Sequence, residues 1–167
     1  MKKLLRIVFG LSILLLTISA CGSSQSAAEK EATLARVAQQ VENFDFTFEA
    51  NYVYPTGFKS MYLSPYYDVK VSKDTVAAFL PYFGRVYTAP MNPNEGGIQF
   101  ISKEFEYKVA EGKKANSWYV DINVKDAEQP VYLQFEIWGN GNARLFVRDQ
   151  NKQPISFQGT IVERQMK

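Results

Sequence analysis

Apolar and polar side chains alternate with a period of two along most of the chain after residue 43. The alternating stretches lie at residues 44–54, 67–72, 104–109, 118–125, 131–138, 144–147 and 155–161. This pattern is typical of β-strands that bury one face. The segments between them carry Gly, Asn, Asp or Pro, the residues that tight turns need, and short connections favour antiparallel pairing. We therefore predict a mainly β fold, an antiparallel meander sheet that curls into a sandwich or a partly open, lipocalin-like barrel.

A helix is predicted before the first strand. Residues 27–41 are rich in Ala, Glu, Lys and Gln and place Leu34, Val37 and Val41 at helical spacing. Such a narrow apolar stripe is typical of a helix that packs one face on a sheet. We expect this N-terminal helix to cover one side or opening of the sheet. A helix that binds a partner is the alternative.

A second, short internal helix is predicted over Thr75–Leu80. Asp74 precedes this segment, and its carboxylate can accept hydrogen bonds from the free N–H groups of a first helical turn. Pro81 and Gly84 would end the helix, because proline cannot continue it and glycine favours helix ends.

The first 20 residues have the parts of an export signal. Lys2, Lys3 and Arg6 give a positive start, and the uncharged run Ile7–Ile18 follows, 12 residues long. A signal peptide needs an apolar run of about 7–15 residues, whereas a membrane-spanning helix needs ~17–25. We therefore predict that residues 1–20 are a signal peptide that is removed.

The next four residues, Ile18-Ser19-Ala20-Cys21, resemble a bacterial lipobox. In that resemblance the Cys21 sulfur takes a diacylglycerol, cleavage falls before Cys21, and the new amino terminus is acylated. It implies a lipidated tether at residues 21–26 and a single β-rich domain at 27–167, held beside a membrane. No acidic residue follows Cys21 closely, so we expect attachment to the outer membrane, facing the periplasm. The alternative is a free or packed cysteine.

Charge adds little once the leader is removed. The chain has 19 Lys+Arg and 17 Asp+Glu, and residues 1–20 hold three of the positive and none of the negative ones. The mature chain then has 16 Lys+Arg and 17 Asp+Glu, a net charge of −1. A near-neutral chain with mixed signs lacks the basic surface that nucleic-acid binding requires. We expect no nucleic-acid partner.

Most catalytic systems are excluded by composition. The chain has no histidine, and its one cysteine is the predicted acylation site. Ser-His and Cys-His nucleophiles and the common zinc sites need those side chains. Paired carboxylates remain, with Asp68, Asp74, Glu104, Glu106 and Asp121 available, but each falls on a polar register or a cap. We predict a noncatalytic protein without cofactor or metal, and keep a carboxylate-based hydrolase as a third hypothesis.

Three stretches carry a family resemblance. FLPYFGRVYTAP at 79–90, GGIQF at 96–100 and PISFQGTI at 154–161 resemble a domain-of-unknown-function family of cell-envelope lipoproteins from Bacteroides-type bacteria. The resemblance covers nearly the whole mature chain. It implies the compartment and a β-rich fold, and the family has no established activity that could be carried over.

Four residues are candidates for ligand binding. Arg85 lies between Gly84 and two tyrosines, Tyr82 and Tyr87, and its planar guanidinium can bind a carboxylate, a phosphate or a sugar hydroxyl. The alternative is that Arg85 pairs with a local acid such as Asp68 while the tyrosines fill the core. Trp138 stands on an outward register beside a turn. It can grip a sugar or a partner, or it can simply cover the next strand.

The first hairpin is also rich in aromatic residues. Tyr54, Tyr62 and Tyr66 lie close to Pro55 and Pro65 in the sequence. They could form an aromatic lip at one end of the sheet, or plain turn contacts between Tyr and Pro.

The leading hypothesis for the function is a lipid-anchored envelope module that binds a small apolar or glycan ligand or an envelope partner. The alternative is a structural or assembly lipoprotein that docks onto another envelope protein.

Overall fold

A computed structural model describes residues 26–87, 96–127 and 130–163. The chain divides into two units, Met1–Lys30 and Glu31–Lys167. The described part of the first unit begins helix α1 (Ala27–Glu42). There Ser26 N–H donates to Glu29 Oε2 (2.9 Å), and Glu29 N–H donates to Ser26 Oγ (3.2 Å), a capping box that satisfies two free amides. Cys21 and the predicted signal peptide lie outside the described residues.

The described residues form one helix and ten strands, and α1 matches the predicted N-terminal helix. The strands are β1 (Phe46–Pro55), β2 (Met61–Tyr62), β3 (Asp68–Val71), β4 (Val76–Pro81), β5 (Gly97–Ser102), β6 (Phe105–Glu111), β7 (Ser117–Val124), β8 (Val131–Trp138), β9 (Asn142–Asp149) and β10 (Ile155–Val162). Among the described helical residues, no segment is long and apolar enough to cross a membrane.

All the strands belong to one sheet with antiparallel pairing. Its order is β5-β4-β3-β1-β10-β9-β8-β7-β6, and β2 pairs with β1. Strands β6 to β10 form a continuous meander, and β1 joins it beside β10. The predicted mainly β, antiparallel fold is confirmed.

The sheet curls until distant strands face each other. The Phe135 ring on β8 lies 5.7 Å from the Phe46 ring and 5.6 Å from the Phe48 ring, both on β1. Strands β10 and β9 stand between β1 and β8, so in a flat sheet they would be about 14 Å apart. The two ends of the sheet, β5 and β6, are joined by only Lys103 and Glu104. The described part of the second unit is therefore a nearly closed, barrel-like sheet.

The inner face of the curled sheet is a packed apolar core. On β8 every second residue is buried, and neighbouring strands contribute matching positions. The largest fully buried side chains are Phe46, Phe48, Phe135, Phe157, Leu80, Ile122, Leu133, Ile137, Leu145, Val37, Val41 and Val53. The inward aromatic side chains therefore pack against each other within the curled sheet.

Helix α1 packs on the sheet through its second half. Val37 and Val41 are fully buried, and Gln40 Nε2 donates to the Val162 carbonyl (3.2 Å) at the end of β10. The Tyr107 hydroxyl on β6 donates to the Val41 carbonyl (3.1 Å). The helix therefore covers part of the sheet, as expected from its apolar stripe.

The prediction of an internal helix over Thr75–Leu80 is wrong, because this segment forms β4. A tight turn precedes it, in which Ser72 N–H donates to the Thr75 carbonyl (2.9 Å) and Thr75 N–H donates to Ser72 Oγ (3.1 Å). Strands β3 and β5 supply the remaining main-chain partners on either side. Side chains of this segment are nearly all apolar, so the period of two was hidden, and long-range pairing decides the conformation.

Candidate functional site

The connection from β1 to β3, which contains the short strand β2, carries a group of exposed aromatic side chains. Phe58 is 65% exposed, Tyr62 67% and Tyr66 86%. The Tyr52 and Tyr62 rings meet edge to face with centroids 5.2 Å apart, and the Tyr54 hydroxyl donates to Gln158 Oε1 (2.9 Å). Aromatic side chains from the first hairpin therefore reach solvent at this end of β1.

Beside these side chains lies a groove of about 440 Å³, which we call the apolar groove. It is lined by Phe58, Lys59, Met61, Phe83 and Gly84. Its first wall is the β1–β2 connection, and its second wall is the segment that follows β4. The volume falls within the range of about 300–1,000 Å³ that is usual for small-molecule sites.

The first wall is held in place by main-chain contacts. Thr56 Oγ1 donates to the Pro154 carbonyl (2.8 Å), and Leu63 N–H donates to the Asn51 carbonyl (2.8 Å). Gly57 has a φ of +84°, a conformation that glycine adopts without strain. The wall is therefore fixed on both sides of Phe58 and Lys59.

The second wall is attached to the same β9–β10 connection. Gln153 N–H donates to the Arg85 carbonyl (3.0 Å), and Tyr87 N–H donates to the Asn151 carbonyl (2.8 Å). The Tyr82 hydroxyl donates to the Arg85 carbonyl (2.7 Å) and lies 3.1 Å from the Gln153 carbonyl. Because residues 151–154 anchor both walls, the apolar groove is preformed.

The structure brings Tyr82, Arg85 and Tyr87 together on the second wall, but none of them lines the apolar groove itself. Tyr82 is half-buried, and this burial raises the pKa of its hydroxyl. Tyr87 is 66% exposed. The Arg85 side chain is exposed, while its carbonyl takes part in the hydrogen bonds above. Asp68, the suggested partner of Arg85, pairs with Lys70 (3.3 Å).

Trp138 lies away from this group of residues. It is half-buried at the end of β8, opposite Ser117, and the Lys114 ammonium lies 5.9 Å from the centroid of its ring. The strand pairing places the end of β8 at the end of the sheet opposite the β1–β2 connection. The predicted binding residues therefore occupy two separate places.

Two more of the candidate carboxylates, Glu106 and Asp121, have partners of their own. Glu106 accepts from Lys125 Nζ (2.7 Å), a contact that lowers the pKa of Glu106. Asp121 accepts from the Tyr132 hydroxyl (2.6 Å) and from Gln134 Nε2 (2.9 Å). In the described ranges, no three acidic, histidine or cysteine side chains are grouped so that they could hold a metal ion.

Sequence analysis did not identify the residues that line the apolar groove. Phe58 and Lys59 lie in the short turn after the first strand, Met61 begins β2, and Phe83 lies between Pro81 and Gly84, which were predicted to end a helix that does not form. The run GFKSM offers one hint, since apolar side chains in a turn have no strand face on which to pack. The remaining information is tertiary, because the opposing wall is more than 20 residues away in sequence.

Comparisons with known proteins identify the family. The family model described as "Domain of unknown function (DUF4251)" matches residues 28–161. Among solved structures, the chain is similar to the crystal structure of a DUF4251 family protein from Bacteroides eggerthii. That match has a TM-score of 0.60 at 14% identity and covers 79% of this chain and 88% of the other. A comparison with curated proteins finds no match. Because the family model spans most of the sequence, as the three motifs suggested, this chain belongs to the DUF4251 family.

Proposed function

We propose that the protein is a noncatalytic, lipid-anchored module of the cell envelope that binds a small apolar ligand in the apolar groove. The observation that carries the proposal is a groove of about 440 Å³ whose lining is apolar except for Lys59 and Gly84. Phe58, Met61 and Phe83 present apolar surface to it while remaining partly exposed to water. A ligand that covered them would gain roughly 25 cal/mol per Å² of apolar surface removed from water.

The rigidity of the walls favours binding. Ordering flexible side chains and loops costs about 0.5–1.5 kcal/mol for each immobilised side chain. Here both walls are already hydrogen bonded to residues 151–154, the first through the Thr56 hydroxyl and the second through the main chain of Arg85 and Tyr87. Less of the gain from apolar contact is therefore lost when a ligand binds.

The cellular setting is part of the same proposal. The lipobox-like motif at residues 18–21 supports acylation of Cys21, and the leader before it supports export. Acylation would hold the domain beside a membrane, which we take to be the outer membrane with the domain facing the periplasm. Neither a cofactor nor a nucleic acid is needed for this role.

A second function is favoured by a different observation. Phe58, Tyr62 and Tyr66 are each at least 65% exposed and lie in the connection from β1 to β3, which contains the short strand β2. Exposed apolar patches often mark protein contact sites. An assembly role, in which this connection docks onto another envelope protein, is therefore the alternative.

The ligand-binding proposal can be tested with N-phenyl-1-naphthylamine, a neutral dye that fluoresces in apolar sites. The protein is the mature chain, residues 21–167, with Cys21→Ser so that no acyl group competes. We expect the dye fluorescence to rise and saturate as dye binds. Met61→Gln should raise the dissociation constant of the dye about tenfold, because a polar group would replace part of the apolar lining. Ile101→Gln is the matched control, since Ile101 is 75% exposed on β5 and does not line the groove.

Two results would overturn the proposal. One is the absence of dye binding by a chain whose circular dichroism shows a folded β protein. The other is an equal dissociation constant in Met61→Gln and Ile101→Gln. Capture of a defined envelope protein that is lost with Tyr62→Ala, together with no dye binding, would favour the assembly role.

A further inference from the structure

The two segments that wall the apolar groove carry charge of one sign only. Residues 55–66 contain a single charged residue, Lys59, and residues 76–87 contain a single charged residue, Arg85. Lys59 lines the groove, and Arg85 directly follows Gly84, which also lines it. The groove is therefore apolar with one cation in its lining, Lys59, and a second, Arg85, next to its lining on the other wall.

These two cations are not neutralised by nearby acids. The ion pairs found between described residues are Lys70–Asp68, Lys125–Glu106 and Lys152–Asp149, and neither Lys59 nor Arg85 takes part in them. The acid next to the connection that anchors both walls is Asp149, the last residue of β9. It is occupied by Lys152 Nζ (2.9 Å) and by Asn151 N–H (2.8 Å). Positive potential at the groove is thus left for a ligand.

Only one class of small ligand matches both properties. An apolar ligand without charge would leave the two cations unused, and a cationic ligand would be repelled by them. A neutral sugar would likewise leave the two cations without a charged partner. A molecule with an apolar chain and an anionic head can satisfy both parts of the site at once.

We infer that the apolar groove binds a single-chain amphiphile with an anionic headgroup, which can be a carboxylate, a sulfate or a phosphate. Its chain lies on Phe58, Met61 and Phe83, and its headgroup is attracted by Lys59 and Arg85. This inference rests on the proposed function of the groove and adds the chemical class of the ligand.

The two parts of the ligand contribute differently. Each methylene buried should tighten binding about fourfold, which corresponds to ~0.8 kcal/mol. An exposed ion pair changes affinity by roughly two- to fivefold and is weakened by salt. The chain should therefore determine affinity, while the headgroup determines preference among molecules with equal chains.

The experiment compares three amphiphiles that share a ten-carbon chain, each below its micelle concentration. Decyl sulfate, decanol and decyltrimethylammonium compete with N-phenyl-1-naphthylamine for the mature Cys21→Ser chain. We expect decyl sulfate to displace the dye at about fivefold lower concentration than decanol, and the cation to be weakest. Raising the ionic strength should reduce this preference, because exposed charges are screened.

Charge variants assign the preference to the groove. Lys59→Gln with Arg85→Gln should remove the advantage of decyl sulfate over decanol. Lys73→Gln is the matched control, because Lys73 is exposed in the β3–β4 turn, at the other end of the strands. Lys59→Glu with Arg85→Glu should reverse the preference and favour the cation.

The experiment distinguishes a failure of the proposed ligand groove from a failure of the inferred anionic ligand class. Dye binding with equal displacement by all three amphiphiles would overturn the anionic class and leave the apolar groove as proposed. No dye binding would overturn both. Vesicles of phosphatidylcholine with phosphatidylglycerol separate the two sources of an anionic head. Dye displacement by vesicles but not by decyl sulfate would overturn binding of a single amphiphile and indicate attraction to a charged lipid surface.

Discussion

The hydroxyl group of Tyr107 on β6 donates a hydrogen bond to the carbonyl of Val41 in the last turn of α1, with 3.1 Å between the oxygen atoms. The ring of the same tyrosine lies 3.9 Å from the ring of Phe44, measured between centroids. Carbonyl groups at a helix end have no partner within the helix. Tyr107 therefore both satisfies the helix terminus and holds it against the edge of the sheet.

Tyr107→Phe should lower the free energy of unfolding by about 0.5–1.5 kcal/mol, because the carbonyl of the buried Val41 would keep only the hydrogen bond from Phe44 N–H (3.3 Å) while the ring contact stays. Urea unfolding monitored by circular dichroism measures the change. Tyr66→Phe is the control, since Tyr66 is 86% exposed. Equal effects of the two substitutions would contradict the assigned role of Tyr107.

Gly159 on β10 lies against the main chain of Glu49 on β1, where a β-carbon would collide with the Glu49 carbonyl. The pairing of β1 with β10 shifts register just beyond this point, between Ala50 and Tyr52. Gly159→Ala should therefore cost at least about 1–3 kcal/mol, the usual penalty for overpacking. Thermal unfolding provides the measurement.

Gly96→Ala is the matched glycine control, because no heavy atom lies within 4 Å of the position its β-carbon would take. A melting temperature for Gly159→Ala equal to that of the Gly96→Ala variant would show that the sheet accommodates a side chain at 159.

Asp126 should make stability fall in acid. Hydrogen bonds from the Ser102 hydroxyl and from the main-chain N–H groups of Lys103 and Glu104 lower the pKa of Asp126. A carboxyl with a lowered folded pKa stabilises the native state above the unfolded pKa, about 3.9, and this contribution is lost as the pH falls through the folded value. Asp126→Asn should therefore flatten the decline in melting temperature below about pH 4.

Glu111→Gln on β6 serves as the control for this profile. It removes one carboxylate at the end of β6 that lies away from the β5–β6 turn, which Asp126 contacts. An Asp126→Asn profile that is parallel to the unmodified one throughout the acid range would refute the role of Asp126.

The hydroxyl of Tyr132 should ionise only at unusually high pH. Burial, followed by the hydrogen bond to Asp121 and the charge of that carboxylate, raises the pKa of Tyr132 to about 12. Because the folded pKa exceeds the ordinary value near 10, the stability linked to Tyr132 is present below about pH 10 and is lost as the pH rises toward 12.

Titration by NMR of ring-labelled tyrosine, with Tyr132→Phe to identify the signal, tests this prediction. Asp121→Asn should lower the pKa of Tyr132 yet leave it above about 10, since burial is the larger cause. Ionisation of Tyr132 near 10 in the unmodified protein would contradict the assignment.

Cys21→Ala should release the protein from membranes, because the acyl groups predicted on the sulfur and on the new amino terminus would no longer form. Fractionation of cells and mass spectrometry of the mature N-terminal peptide measure this. Ser24→Ala in the predicted tether is the control and should leave the protein in the membrane fraction. An unmodified thiol in the unsubstituted protein would remove the anchoring proposal.

The strands were largely predictable because half-buried strands leave a period of two in the sequence. The stretch from Val131 to Ile137 alternates completely and forms β8 as predicted, and α1 follows the helical spacing of Leu34, Val37 and Val41. The helix predicted over Thr75–Leu80 was wrong, because apolar residues on both faces of β4 hide the alternation. The hydrophobic pattern is enough to predict a strand or helix when one of its faces is exposed to water.

The candidate site depended on tertiary structure. The sequence by itself determined the fold class, the family motifs and the two isolated cations, since these depend on composition and local order. Only the folded chain decided that Lys59 lines a groove shared with Phe83 and that the Tyr82 hydroxyl is already occupied by main-chain carbonyls. The physical reason is that walls from distant segments meet only after the β9–β10 connection has fixed both of them.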